Sequence, residues 1–405
     1  MKNFKRIYMD GAANEATDME VIKEMEPWMK HAGNSFAIHD SGIESMQAVE
    51  NARFDIADVL GVRPDQILFT SGATESNNWA IQSICFKALA EKSNKKTILL
   101  SSTEHSSVVN TALRMKKIGF KVQFIPYPKN HALNGLKVAS CLNEDILLAC
   151  IMSVNNETGV VNDIKSIASV CNKNNIPLLC DCTQLIGGGH SIKDLKLTNE
   201  FIDFISFSSH KIYGPTGVGC LIVNNPKIIE PFIIGGAQES GLRGGTSNVA
   251  GIVGMAAAMK KFINNKLVVE YSELMLYIFS MVDKFNNIYP NCLYINGYID
   301  QEDTFFGHLG NICSLRIGDQ YLPERNLFAN ELINRGIEVS AGSACDSTAS
   351  GVSDAKPSHV LLAMGLTSTE IARVARISLT KDLTKEDIDY LFEAIQDIIK
   401  TYKGE

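Results

Sequence analysis

The stretch FISFSSHKIYGPTGVGCLIV, residues 204–223, holds two apolar runs, Phe204–Phe207 and Val218–Val223, on either side of a short polar turn. The turn is too short for the crossover helix that parallel neighbours require, so one of these two strands is expected to run antiparallel. Upstream, five further apolar runs alternate with amphipathic stretches: Gln66–Phe69, Thr97–Leu100, Val122–Ile125, Ile146–Ile151 and Pro177–Cys180. Continuous apolar strands separated by helical segments predict an α/β unit, a mostly parallel sheet covered by helices on both faces.

Downstream the pattern changes. Residues 247–285 read as long helices, with Ala256–Met259 and Leu274–Phe279 supplying apolar faces. Strand-like Cys292–Ile295 and Asn311–Arg316 follow, then a helix near 325–335 and a last helix from Lys385 to Tyr402. This predicts a smaller α+β domain. The division is placed at residues 18–262 for the large domain and 1–17 with 263–405 for the small one; no low-complexity linker separates them, which implies an intimate interface.

At 405 residues, two domains are the expectation from length. A net charge of −7 argues against a broad nucleic-acid surface. The basic patch Arg114-Met115-Lys116-Lys117 reads as one solvated helix face. The opening MKNFKRIYMD has neither the apolar core of a signal peptide nor a transit pattern, and no apolar run approaches the ~20 residues of a membrane span. A cytoplasmic location is the resulting expectation. Ten cysteines in such a chain read as mostly reduced and buried. Cys180 and Cys182 share a strand face, but no second Cys/His pair at zinc spacing follows, so no metal site is expected.

The chemistry-bearing residues cluster after the strands. Thr70-Ser-Gly-Ala-Thr74 joins the first run to a helix start, where free N–H groups make an anion site unless Ser71 or Thr74 merely caps the helix. Thr103-Glu-His105, Asn155-Asn156, Asp181-Cys-Thr-Gln184 and Ser208-Ser-His-Lys211 follow later runs. In parallel sheets ligands bind outside these carboxyl ends. A lysine, an aspartate, a ring-sized partner and a phosphate cup together suit pyridoxal phosphate: Lys211 for the aldehyde, Asp181 for the ring nitrogen, His105 against the ring and Gln184 at the phenolic oxygen.

Ser71-Gly-Ala-Thr-Glu-Ser76, Thr103-Glu-His105, Val154-Asn-Asn-Glu-Thr-Gly159, Ser208-Ser-His-Lys-Ile-Tyr-Gly-Pro215 and Gly342-Ser-Ala-Cys345 together resemble the cysteine desulfurases, of the class V aminotransferase group of fold type I pyridoxal-phosphate enzymes. The resemblance runs from Tyr8 to Ser378. It implies that Ala73, Thr74, Ser208 and His210 contact the phosphate, and that Asn156 lies near both the phenolic oxygen and the substrate. It implies Lys211 as the Schiff-base lysine, and Thr246 as the residue reaching the phosphate of a neighbouring subunit's cofactor, hence a homodimer. Cys345 is implied as the nucleophile that takes sulfur from L-cysteine, in a small, polar run suited to a mobile thiol. Arg376 is implied to clamp the substrate carboxylate; the residues alone leave Arg373 equally open.

An acceptor for sulfur, a partner protein or an iron–sulfur scaffold, is implied as well. The resemblance leaves open selenocysteine lyase or another class V reaction on β-substituted amino acids, and a low-activity member serving as a docking partner. The chain departs from the family's usual Asp-Asn-Ala-Ala-Thr-Thr-Pro-Val-Asp at Gly11, Asn14 and Glu15, from its proline at Ser35, and from its glycine at Thr380. The segment between Cys345 and Pro357 is longer than expected, and Asp346 beside the thiol is expected to raise its pKa.

Overall fold

A computed structural model describes residues 5–127, 132–193, 202–297, 310–323, 327–341 and 357–403. Cys345 and the Gly342–Cys345 motif lie outside the described residues. In chain order the strands are β1 (Ile7–Tyr8), β2 (Ile67–Thr70), β3 (Thr97–Ser101), β4 (Lys121–Ile125), β5 (Ile146–Cys150) and β6 (Leu178–Asp181). Then come β7 (Phe204–Ser208), β8 (Gly219–Val223), β9 (Leu293–Asn296), β10 (Ile312–Ile317), β11 (Ile337–Glu338) and β12 (Val374–Ser378).

Among the described residues, seven strands form one sheet in the order β2-β8-β7-β6-β5-β3-β4. Its central pairs are parallel, whereas β8 is antiparallel to both β7 and β2. The reversal expected from the short 208–217 turn therefore falls on β8. Six strands share one direction, so their carboxyl ends line a single edge.

Strand periodicity divides the core in two. Leu99, Leu178, Cys180, Ile205, Phe207, Cys220 and Ile222 point into one cluster, beneath the helices Asp40–Leu60 and Val249–Phe262. Ile98, Leu100, Leu179, Phe204, Leu221 and Val223 point into the other, beneath Ala73–Ala90 and Ser106–Met115. Burial on both faces is why these runs show no polar alternation. Cys180 and Cys182 lie on the first face, both buried, with their sulfurs 3.6 Å apart.

A second, three-stranded sheet is antiparallel, ordered β12-β10-β9. β1 pairs with β11, and Asp10 bridges to Ser378 at the end of β12, so the first residues of the chain join the C-terminal part. The long helices occupy Val249–Phe262 and Asn265–Ile288, and Lys385–Lys403 closes the chain. β12 has no counterpart among the expected strands, since Arg376 inside VARIS masks its apolar pattern, yet all five residues are buried.

Candidate active site

A cavity of about 230 Å³ opens at the carboxyl edge of the large sheet. Ala73, Thr74, His105, Asn156, Asp181, Gln184, Ser208, His210, Lys211 and Arg376 all line it. The predicted residues thus converge from six separated segments. Thr246 does not reach this cavity of its own chain; it is exposed on the loop before Val249.

Lys211 follows β7 on a strained turn. Tyr213 has φ 59°, a left-handed conformation that costs a β-carbon-bearing residue about 1 kcal/mol or more. Its hydroxyl secures the turn, lying 2.6 Å from Tyr271 Oη and accepting from the Lys381 N–H. Gly214 is required next, because a Cβ there would sit 2.0 Å from Ser209 Oγ. The turn sends the Lys211 amine to the carbonyls of Ala12 and Ala13, at 2.7 and 2.5 Å. Main-chain acceptors carry no residue-type signal, so these two were invisible in sequence.

At one end of the cavity the helix Ala73–Ala90 begins on Gly72, without a side-chain cap. Neither Ser71 nor Thr74 performs that role. The Ala73 N–H donates instead to Ser208 Oγ at 2.7 Å. Gly219, across the edge, must lack a side chain, since its Cβ would lie 2.5 Å from Gly72 Cα. Of the hydroxyls on Thr70, Ser71 and Thr74, only that of Thr74 belongs to a residue lining the cavity; Thr70 Oγ1 pairs with Ser76 Oγ inside. Burial and then the Lys211 charge push His210 down to about 4, so it faces the cavity as a neutral imidazole.

At the other end, Asp181 accepts from Thr183 N at 2.9 Å and Asn77 Nδ2 at 2.8 Å. Gln184 Nε2 donates to the Ala12 carbonyl. Arg376 is 2 % exposed; it donates to Asp10 Oδ1 at 2.6 Å and to the Asn156 carbonyl at 3.0 Å. Arg373 points elsewhere, to the carbonyls of Leu322 and Thr369. Of the two arginines, Arg376 lines the cavity and Arg373 does not.

Asn156 Oδ1, Thr183 Oγ1 and Arg376 Nε are buried without a hydrogen-bond partner among the described residues. Three orphaned polar atoms on one cavity wall are costly unless a ligand completes them. With a carboxylate and an imidazole at one end, and a helix N-terminus with two hydroxyls at the other, the donor set fits a flat heteroaromatic ring bearing a phosphate.

The family matched by the chain is aminotransferase class-V, over residues 7–391. The chain is 33 % identical to the cysteine desulfurase IscS of Dictyoglomus turgidum, over 98 % of this chain and 95 % of that protein. A solved NifS-like protein superimposes with a TM-score of 0.81 at 32 % identity, covering 98 % of this chain and all (100 %) of the other. The chain belongs to the cysteine desulfurase group of the class-V aminotransferases. A further structure, SspA in complex with cysteine, matches at a TM-score of 0.74 and 32 % identity, with coverages of 92 and 98 %.

Within this family frame the departures of the 10–18 segment acquire a physical account. Glu15 is buried, and its backbone N–H donates to the His210 carbonyl at 3.0 Å. A Cβ on residue 11 would lie 2.2 Å from Glu15 Oε1 and 2.8 Å from the Leu379 carbonyl, so Gly11 makes the room that Glu15 occupies. The two substitutions are one steric unit. Ser35 is also buried, its Oγ 3.3 Å from Ser247 Oγ beside Thr246.

Burial raises the Glu15 carboxyl from 4.5 to about 8, reinforced by Asp382 and opposed by a Tyr213 hydrogen bond and the Lys211 and Lys381 charges. The folded chain therefore holds a proton that the unfolded chain releases between about pH 4.5 and 8. Stability from this group is complete below that window and lost as pH rises through it. Glu15→Gln is expected to leave the melting temperature unchanged near pH 4 and to raise it by about 3 °C or more near pH 9. Thermal melts of both chains across that range check it; equal curves at alkaline pH would remove the buried-acid assignment.

Proposed function

We propose that this cysteine desulfurase takes sulfur from L-cysteine, releasing L-alanine and leaving a persulfide on Cys345. The carrying observation is the cavity in which Lys211, Asp181, His105 and Arg376 meet beside three orphaned polar atoms. Pyridoxal phosphate, held by Ala73, Thr74, Ser208 and His210 at its phosphate and by Asp181 at its ring nitrogen, supplies an electron sink for bond cleavage at the substrate Cα. Lys211 would hold the aldehyde until the substrate amine takes its place, and the freed Lys211 amine would move the Cα proton. Gln184 and Asn156 lie toward the phenolic oxygen. Arg376 takes the substrate carboxylate through the donors it has left. His105 serves the substrate thiol.

The Cys345 thiolate attacks the substrate sulfur; the carbon–sulfur bond breaks, a sulfur–sulfur bond forms, and the carbon fragment leaves as alanine after protonation. Support for delivery of Cys345 comes from the described residues on either side of it. Ser340 pairs its backbone with Arg376, and Ser358 Oγ donates to Glu157 Oε2 at 2.5 Å, one residue from Asn156. Both flanks therefore attach to the cavity wall.

Thr246 is proposed to complete the phosphate site of a second copy in a homodimer. Two bidentate pairs, Arg53–Glu239 and Arg243–Glu75, hold its loop in place. The sulfur passes to an acceptor thiol or an iron–sulfur scaffold. The domain division at 18–262 is supported by the separate sheets and by the β1–β11 pairing. No helix among the described residues is long and apolar enough to cross a membrane, and the reading is of a cytoplasmic enzyme.

The test is direct. The chain loaded with pyridoxal phosphate and given L-cysteine is expected to yield alanine and a protein persulfide in equal amounts, and Cys345→Ala neither. Undiminished sulfur release by Cys345→Ala would overturn the persulfide route.

A further inference from the structure

We propose that Asn77 is a positioning residue that ties His105 to Asp181 and, whenever the imidazole is neutral, holds it as its Nε2–H tautomer, so that it offers the site an N–H donor rather than a lone pair. This rests on reading the cavity as the desulfuration site. Asn77 stands in the helix Ala73–Ala90, fully buried, above the sheet face shared by Asp181 on β6 and Ser206 on β7. Asp181 and Ser206 are register partners, so one amide on the overlying helix reaches both. Asn77 Nδ2 donates to Asp181 Oδ2 at 2.8 Å and to Ser107 Oγ at 2.9 Å, while its Oδ1 accepts from Ser206 Oγ at 2.6 Å.

The directions are set from the two ends: the Asn77 bonds by the Asp181 carboxylate, the His105 bond by the Ser107 backbone N–H. A carboxylate oxygen accepts only, so the NH₂ of Asn77, and not its carbonyl oxygen, must face Asp181; the flipped amide would bring two oxygens to 2.8 Å. Both amide hydrogens are then spent, the second on Ser107 Oγ. Ser107 Oγ keeps a hydrogen and a second lone pair, and His105 Nδ1 lies 2.8 Å away, so the Asn77 bond by itself leaves this direction open. The Ser107 backbone N–H settles it by donating to that nitrogen, at 3.2 Å. Two donors converge on Nδ1, which must be a lone pair. The hydrogen of the neutral ring is therefore on Nε2.

The consequence is chemical. With Nδ1 engaged as an acceptor, neutral His105 has no second lone pair to take a proton from substrate. It serves as a hydrogen-bond donor, and removal of the Cα proton is left to Lys211. Asn77 touches neither cofactor nor substrate in this account; it acts through Asp181 and Ser107. Its cost of burial is met in full, since both amide hydrogens and the oxygen are bonded.

The experiment is ¹⁵N NMR of the loaded chain labelled at histidine, with the His105 resonances assigned by their loss in His105→Gln. A protonated Nε2 and an unprotonated Nδ1 are expected; a proton on Nδ1 overturns the proposal. Asn77→Ala is expected to mix the tautomers and to slow alanine release by about a hundredfold, the lower end of what proton-transfer groups contribute. Ser107→Ala is expected to act in the same direction, and Ser107→Thr, which keeps a hydroxyl, to recover the Nε2–H pattern and most of the rate. Should Asn77→Ala fail to fold, the serine pair carries the test, and an unchanged tautomer in Ser107→Ala with undiminished rate counts against the relay. If the wild-type chain makes no alanine from cysteine, the desulfurase reading fails, while the NMR pattern still decides the tautomer.

Discussion

Lys211→Ala is expected to slow alanine release from L-cysteine by about 10²–10⁴-fold, the contribution typical of a positioned proton-transfer group. The loss has two sources. The amine that moves the Cα proton is gone, and among the described residues no other primary amine lines the cavity. The carbonyls of Ala12 and Ala13 also lose the Lys211 amine, at 2.7 and 2.5 Å in the native chain, Ala12 keeping its bond from Gln184. Lys211→Arg separates the effects, because it restores a cation for those carbonyls without an amine for the aldehyde. Single-turnover alanine formation checks both variants; an Arg variant as fast as wild type would show that Lys211 serves only as a cation.

Arg376→Ala is expected to damage stability and substrate affinity together. Its guanidinium is nearly fully buried and paired with Asp10, so truncation strands a carboxylate, at a cost of about 3–5 kcal/mol. Loss of charge-assisted bonds to the substrate carboxylate, about 1.5–3 kcal/mol, should raise KM by ~10–100-fold. Arg376→Lys keeps the charge but lacks the fork. Nη1 and Nη2 hold Asn156 and Asp10 while Nε remains for substrate, and one ammonium cannot face all three. Melting curves and KM for cysteine read the two effects separately. A lysine variant with unchanged KM would move the carboxylate site away from Arg376.

The large sheet was legible because its strands, apart from the edge strand β4, are buried on both faces. Such strands read as unbroken apolar runs, and the observed strands begin and end within one residue of those runs. The short turn after Ser208 likewise announced the reversal of β8. The small sheet was partly hidden. β12 carries Arg376 at a buried position, which burial alone would exclude and which Asp10 and the Asn156 carbonyl make tolerable. β1 and β11, two residues each, are too short to show a period.

Residue types and their places after strand ends were enough to name Lys211, Asp181, His105 and Gln184, because a parallel sheet delivers its carboxyl ends to one edge. Other parts of the site have no such marker. The Ala12 and Ala13 carbonyls, the Asn77 bridge and the choice of Arg376 over Arg373 depend on atoms from segments hundreds of residues apart. The same holds for Gly11 and Glu15. As letters they are two unrelated departures from a motif; in the folded chain one removes the Cβ that the other's carboxylate would strike. The sequence by itself determined the sheet, the edge and the chemistry of the groups gathered there, since these follow from local periodicity and residue type. Only the tertiary structure decided which arginine faces the cavity and which way each hydrogen bond runs, because direction is set by what stands opposite in space.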